Sequence, residues 1–333
     1  MRVFVTGASG VIGTRLVPKL IDRGHHVIGT TRTPEGTARL KALGAEPVAL
    51  DLLDREAVVK AVVASNPDAI VHEATALKGL SDFKHFDRSF HDTNRLRTEG
   101  TDALLAAAEQ AGARRFVTQS FAGFRHERRG SMVKTEDDPL DANPPRAASE
   151  SFAAMRYLDE RATEFGGITL RYGVFYGDRD NALVEAVRQR KFPTVGDGGG
   201  VWSFIHLDDA AAATVIALER EGPGVYNIVD DEPAPTREWL PVLAETVGAK
   251  PPQRFPRLVA RIFAGETPVM MGTEVRGVSN AKAKRELGWS PEYTSWRHGF
   301  VEAYGSTEPG VPAPSLTAVN GLSRGRERVS ARR

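Results

Sequence analysis

The sequence predicts an α/β fold, a doubly wound parallel sheet joined to a smaller, mostly helical lobe, on three observations. Short apolar runs at 3–5, 26–30, 47–50, 69–72, 115–118, 168–171 and 225–229 alternate with helical patterns. A glycine-rich turn, Gly7-Ala-Ser-Gly10-Val-Ile-Gly13, sits directly between the first run and the first helix. Past Gly177 the texture changes to glycine and proline punctuation, with Gly196-Asp-Gly-Gly-Gly200, Pro251, Pro252 and Pro256 set among short helices. Alternation of strand and helix requires right-handed crossovers between parallel strands, with helices packed on both faces.

The elements follow in order. After the first strand, Ile12, Leu16, Val17, Leu20 and Ile21 recur at helical spacing, Gly24 stops that helix, and Val27-Ile28 opens the second strand. The pattern over 93–111 is the clearest helix, with Leu96, Leu104, Leu105 and Ala108 on one side and Gly112 as its stop. The chain therefore divides into a nucleotide-binding sheet domain at 1–177 and a substrate lobe at 178–305, with the strand at 225–229 returning to the sheet. The segment 306–333, rich in Pro, Gly and Ser and ending in Arg324, Arg326, Arg328, Arg332 and Arg333, is expected to be a disordered basic tail.

Composition narrows the function. The 333 residues are 41% hydrophobic and 26% charged, and the net charge is +1, so no global electrostatic field favours nucleic acid or an anionic membrane. A small-molecule substrate is the expected partner, with a homodimer as the assembly to test. There is no cysteine, which excludes disulfides, thiolate catalysis and cysteine-ligated metal. No His and carboxylate spacing suggests a metal site either. The first strand starts too early for a signal peptide, and no apolar run approaches the ~20 residues of a membrane span, so a cytoplasmic protein is expected.

The glycine turn carries the ligand. Gly7 allows the tight turn, Gly10 admits backbone N–H groups to a pyrophosphate, and Gly13 lets helix and strand pack closely, as in Rossmann domains. Ligands of such sheets lie beyond the carboxyl ends of the strands, so Gly7, Thr31, Asp51, Ala74 and Ser120 are expected to converge on one crevice.

With this turn, Asp51 in Ala49-Leu-Asp-Leu, His72, Asn94, Ser120, the run Leu170-Arg-Tyr-Gly-Val-Phe-Tyr-Gly177, the segment Phe204-Ile-His-Leu-Asp-Asp209 and Ala281-Lys-Ala-Lys-Arg-Glu-Leu-Gly-Trp-Ser-Pro291, the chain resembles the extended short-chain dehydrogenase/reductases, the NAD-dependent epimerase/dehydratase group. The resemblance implies that Ser9, Val11, Ile12, Leu52, Thr75 and Ala76 join the glycines and Ala74 around the cofactor. It also implies that Asp51 accepts from the adenine amino group and that Tyr172 and Val174 contact the nicotinamide. Cofactor choice follows from charge. An NAD site usually places a carboxylate after the second strand, whereas this chain has Thr30-Thr31-Arg32, a hydroxyl and a guanidinium suited to a 2′-phosphate. NADP(H) is therefore expected in preference to NAD(H).

The family's proton donor is a Tyr with a Lys four residues later, and this pair is missing. Between Ser120 and Arg171 the lysine is Lys134 and the tyrosine Tyr157. Register against the sixth strand places either Arg146 and Glu150 or Phe152 and Arg156 at the dyad positions, while Tyr157 with Arg161 lies too close to that strand. By resemblance Ser120 orients the substrate oxygen. Lys78, His126 and Lys134 are the candidate acid-base groups, and substrate-supplied protons or cofactor sensing without turnover are the alternatives. Relatives that act on nucleotide sugars place an arginine before the Phe-Ile-His strand, whereas Trp202-Ser203 stand here. An indole replaces an anion clamp, so the expected substrate is flatter and less charged, with Trp202 and Tyr176 as its candidate contacts. The expected reaction is hydride transfer at a carbonyl or alcohol carbon of an apolar, ring-containing metabolite, with sugar-type epimerisation or dehydration as the alternative.

Overall fold

A computed structural model describes residues 1–77, 82–178 and 181–305. The sheet half runs β1 (Arg2–Thr6), α1 (Gly13–Asp22), β2 (His26–Thr31), α2 (Pro34–Ala42), β3 (Glu46–Ala49), α3 (Arg55–Ser65) and β4 (Ala69–His72). It continues through α4 (Phe86–Arg95), α5 (Thr101–Ala111), β5 (Arg115–Phe121), the short β6 (Val133–Lys134), α6 (Ser149–Glu164) and β7 (Ile168–Tyr172). Then come β8 (Val174–Tyr176), α7 (Ala182–Arg188), β9 (Thr194–Val195), β10 (Val201–Trp202), β11 (Phe204–His206), α8 (Leu207–Glu219) and β12 (Gly224–Ile228). Helices α9 (Thr236–Thr246), α10 (Arg257–Ala264), α11 (Glu266–Thr273) and α12 (Trp296–Tyr304) complete the lobe.

The seven-stranded sheet has the order β12-β7-β5-β4-β1-β2-β3, parallel throughout. The order reverses direction beside β1, where consecutive crossovers leave on opposite sides and open a crevice at the strand ends. Val3, Val5, Leu16, Val17, Leu20 and Val71 bury one face of the sheet with α1 and α8, while Phe4, Ile28, Val58, Val62, Ile70 and Leu104 bury the other with α3 and α5. Strands buried on both faces read as continuous apolar runs, which is why they stand out in the sequence. Strand β12, expected over 225–229, pairs with β7 along its length, from Gly224 beside Ile168 to Ile228 beside Tyr172.

One helix differs from its sequence signature. The pattern over 93–111 belongs to a longer helical path that starts at Phe86 and passes through a π-helical turn, Leu96–Gly100, before α5. The start is hidden because α4 has a mostly polar sequence, Phe-Asp-Arg-Ser-Phe-His-Asp-Thr-Asn-Arg, with few apolar positions to reveal a period. A second core of Phe152, Trp202, Phe204, Trp239, Trp296 and Phe300 fills the lobe. The acidic run Glu136-Asp137-Asp138 after β6 is tied down at both ends. Glu136 accepts from the backbone N–H of Asn227 at 2.7 Å, and Asp138 accepts from the N–H of Thr135 at 2.8 Å. The expected basic tail, 306–333, lies outside the described residues.

Candidate functional site

A cavity of about 340 Å³ opens at the ends of β1, β2 and β4, walled by Gly7, Ser9, Gly10, Val11, Ile12, Thr31, Arg32, Asp51, Leu52, Ala74 and Thr75. Local chemistry builds it. Gly7 has φ +72°, and a Cβ there would stand 2.6 Å from the Glu73 backbone, so only glycine lets the turn lie on β4. Gly13 approaches Ala8 so closely that a Cβ would meet its carbonyl oxygen at 2.4 Å. Helices α2 and α3 are capped by the side chains of Thr33 and Asp54, whereas α1 has no side-chain cap. Thr14 donates its N–H to the Gly10 carbonyl at 2.9 Å, and the N–H groups of Val11, Ile12 and Gly13 ahead of it, with the positive end of the dipole, are left for an anion, as a pyrophosphate requires. The residues present fit a dinucleotide.

The rim after β2 is basic. Thr31 is buried and its hydroxyl accepts from Ser9 at 3.2 Å, while Arg32 is exposed on the same rim. Arg39, missed in the sequence, reaches back from α2 to donate to the Ser9 carbonyl at 3.4 Å. A seven-residue interval from Arg32 carries it two helical turns along, a signal legible only once α2 is known to start at Pro34. Asp51 holds its own turn, accepting from the N–H of Leu53 at 3.0 Å.

Other candidates fall outside this wall. Ala76 donates its N–H to Thr93, and Val174 stands beside the cleft residue Phe175 without lining the cavity itself. Tyr172 is fully buried beneath the cleft, where its hydroxyl donates to Glu73 at 3.0 Å and meets Thr214 at 2.6 Å. Glu73 is the second residue that sequence reasoning missed. It lines the cleft at the end of β4, is 6% exposed, and burial pushes its carboxyl up to about 8 against the opposing hydrogen bonds from Tyr172 and Thr214. Its second oxygen has no partner among the described residues. The available signal was an ionisable residue directly following the apolar strand Ala69–His72.

At the end of β5, Ser120 is 4% exposed and is not part of the cleft wall, to which β5 contributes Gln119. Its oxygen accepts from Arg125 at 3.1 Å, and no acceptor for its own proton occurs among the described residues. Arg125 also donates to Asp159 at 2.6 Å, and Arg171 donates to the same carboxylate oxygen at 3.0 Å. Arg97 lies in the same field, its guanidinium pushed down to about 10 by burial and by Arg125. His126 is buried with both ring nitrogens unpartnered, and burial together with Arg171 and Arg125 pushes it down to about 3. It stays neutral at ordinary pH and does not line the cleft. Lys134 is buried in an ion pair with Asp138 at 3.2 Å. Lys78 lies outside the described residues.

Helix α6 contributes no lysine, and its inward face presents Ser151, Met155 and Asp159 at helical spacing. Ser151 is spoken for, accepting from Asn94 at 2.9 Å and donating to Asp87 at 2.6 Å. Tyr157 and Arg161 both bind Asp102 of α5, at 2.7 and 3.3 Å, on a different face. Of the dyad registers, Phe152 is buried while Arg146, Glu150 and Arg156 are exposed.

The two proposed substrate contacts separate. Trp202 lines a second, larger cavity in the lobe, with its indole N–H donated to the Met271 carbonyl at 2.9 Å. Tyr176 is instead core: it is 1% exposed, packs edge-on against Phe300, and leaves Gly299 no room for a side chain. Strand β8 pairs with β11, and its Tyr176 ring packs inward among the lobe aromatics.

A glycine cradle at the switch point of a parallel sheet, together with an apolar cavity in a second lobe, defines an enzyme that works with a dinucleotide on a small molecule. The chain belongs to the NAD-dependent epimerase/dehydratase family, whose model matches residues 3–229. It is 42% identical over 309 residues to the 3-diazoavenalumate denitrifying reductase of a Streptomyces species, covering 90% of this chain and 99% of that protein. A ketoreductase of Stigmatella aurantiaca, acting on 4-hydroxy-2-methyl-3-oxo-4-farnesyl-3,4-dihydroquinoline-1-oxide, is 29% identical, with 88% and 93% covered. Among solved structures, UDP-glucose 4-epimerase of Thermus thermophilus in complex with NAD is 25% identical at a TM-score of 0.68, covering 91% of this chain and 98% of that one. No helix among the described residues is long and apolar enough to cross a membrane.

Proposed function

We propose that this enzyme is an NADP(H)-dependent reductase of a small, apolar, ring-containing molecule whose reactive group needs no proton from a tyrosine. The carrying observation is the inward face of α6. Between Ser151, bound at both ends, and Asp159, shared by two arginines, it offers the thioether of Met155 and no acid. Gly7, Ser9, Thr31, Arg32 and Arg39 would hold the cofactor, the two guanidiniums flanking the 2′-phosphate. Bound there, a reduced nicotinamide supplies one hydride equivalent.

Ser120, with a proton free to donate, stands by resemblance at the family's orienting position, and Arg125 polarises it. The relative named for a diazo substrate and the loss of nitrogen suggests an acceptor that matches this site. An aryl diazonium ion plus hydride gives arene plus N₂; charge and atoms balance, and no alkoxide forms to be protonated. A ring ketone, as in the ketoreductase relative, would instead have to take its proton from water or from Ser120.

Deuteride transfer separates these cases. Incubation with 4-deuterated NADPH and either an aryl diazonium salt or a panel of ring ketones is expected to place deuterium on product carbon for one class, with NADPH preferred to NADH. Absence of cofactor oxidation with every acceptor, together with no binding of either dinucleotide, defeats the proposal. Interconversion of epimers without net cofactor oxidation would favour the epimerase alternative.

A further inference from the structure

The lobe cavity measures about 570 Å³, within the range of small-molecule sites. Its wall is aromatic and aliphatic, with Phe192, Val195, Trp202 and Met271 inside and Phe255 and Phe263 at its edge. Phe255 is 40% and Phe263 76% exposed, so large apolar surface stands in water at the edge of a concave apolar site. The indole N–H of Trp202 is already satisfied, which leaves the ring itself as the wall.

The charged side chains of the lining are Asp82, Lys84 and Lys191. Asp82 is engaged, accepting from the N–H of Lys84 at 3.0 Å and from His85 at 2.8 Å. Neither lysine ammonium is in an ion pair with a described residue. Among the described residues no arginine lines the cavity, so a diphosphate would find no bidentate clamp. A row of rings runs from the end of β5 into this wall: Phe121 lies 5.4 Å from Phe124, which lies 5.0 Å from Trp202. Leu77 lines the cofactor cleft and Asp82 the lobe cavity.

We propose that the lobe cavity is the binding site for a flat aromatic monocarboxylate, with the ring system seated against Trp202 and Phe192 and the carboxylate drawn to Lys84 and Lys191. This deepens the proposed reductase function by naming the substrate class, and it rests on that function only for the ligand's role. The apolar wall supplies affinity by excluding water from the rings, and the two cations select one negative charge over none.

The test is calorimetric titration of the NADP⁺-loaded protein with 2-naphthoate, methyl 2-naphthoate and UDP. The acid is expected to bind about 5- to 10-fold more tightly than the ester, the scale of one or two exposed charge contacts. The double variant Lys84→Ala/Lys191→Ala removes that preference and leaves ester binding unchanged, while Phe263→Ser, at an exposed position, weakens both by a similar factor. Equal affinity for acid and ester, insensitivity to Phe263→Ser, or UDP displacing 2-naphthoate each overturns the proposal. Cofactor-dependent reduction without 2-naphthoate binding defeats this assignment alone, and selective 2-naphthoate binding without any dinucleotide binding defeats the reductase reading alone.

Discussion

Glu73 is a carboxyl held where a strand end meets the cofactor cleft, and its burial makes it a pH-dependent liability. Unfolded, it ionises in the ordinary range near 4.5; folded, it holds its proton up to about 8. The native state therefore binds more protons between these values, and stability falls as pH rises across that window, by at most roughly 1.4 kcal/mol per unit. Glu73→Gln is expected to melt like wild type near pH 5 and at a higher temperature near pH 8, measured by circular dichroism; parallel curves at both pH values would contradict this. The pair of arginines on the rim makes a second prediction. Arg32→Asp and Arg39→Asp should each weaken NADPH about 10-fold or more while altering NADH little, read by fluorescence titration, since each removes a charge-assisted contact worth roughly 1.5–3 kcal/mol and adds repulsion. The role proposed for Arg32 could be read from position alone, since it directly follows β2, where such sheets place the residue that meets the ribose. That of Arg39 could not, because it depends on α2 folding its side chain back over Ser9.

At the scale of the element, the proposed chemistry rests on α6. Its buried Asp159 holds Arg125 and Arg171, and Arg97 adds a third buried cation to the same field. Removing the single carboxylate leaves the guanidiniums uncompensated, so Asp159→Asn is expected to cost about 3–5 kcal/mol in urea denaturation. The double variant Asp159→Asn/Arg125→Met should recover part of that loss, since it removes one of the stranded charges; additive losses would mean that the pair is not coupled. Sequence register suggested Arg146 with Glu150 or Phe152 with Arg156 as the inward positions of this helix. The structure buries Phe152 but turns Ser151, Met155 and Asp159 inward beside it and leaves Arg146, Glu150 and Arg156 exposed. A mixed sequence with apolar residues on several sides, Ser-Glu-Ser-Phe-Ala-Ala-Met-Arg-Tyr, has a weak period, so only the neighbours Asn94, Asp87 and Arg125 fix its rotation. Ser120 shows the same effect. Its place at the end of β5 was legible, but the guanidinium that claims its oxygen comes from a turn whose geometry no local pattern encodes.

Across the whole molecule, the sheet and lobe share their chain: β12 leaves the lobe region to pair with β7, and α12 packs on β11 between them. Cofactor binding to such a unit stabilises it by mass action, about 2.7 kcal/mol at a hundredfold excess over Kd. NADPH is therefore expected to raise the melting temperature by several degrees and NADH by less at equal concentration; equal shifts would remove the case for the arginine pair. The amino-acid sequence alone determined the parallel sheet, the glycine cradle, the want of a Tyr-x-x-x-Lys spacing between Ser120 and Arg171, and the cation that follows β2, because each is written in adjacent residues or in a strict period. The tertiary structure decided the rest: that Glu73 is a buried acid under the cleft, that Tyr176 is core while Trp202 walls a cavity, and that two lysines from distant segments flank that cavity. Burial, pairing and cavity shape are sums over residues remote in the chain, and no local spacing carries them.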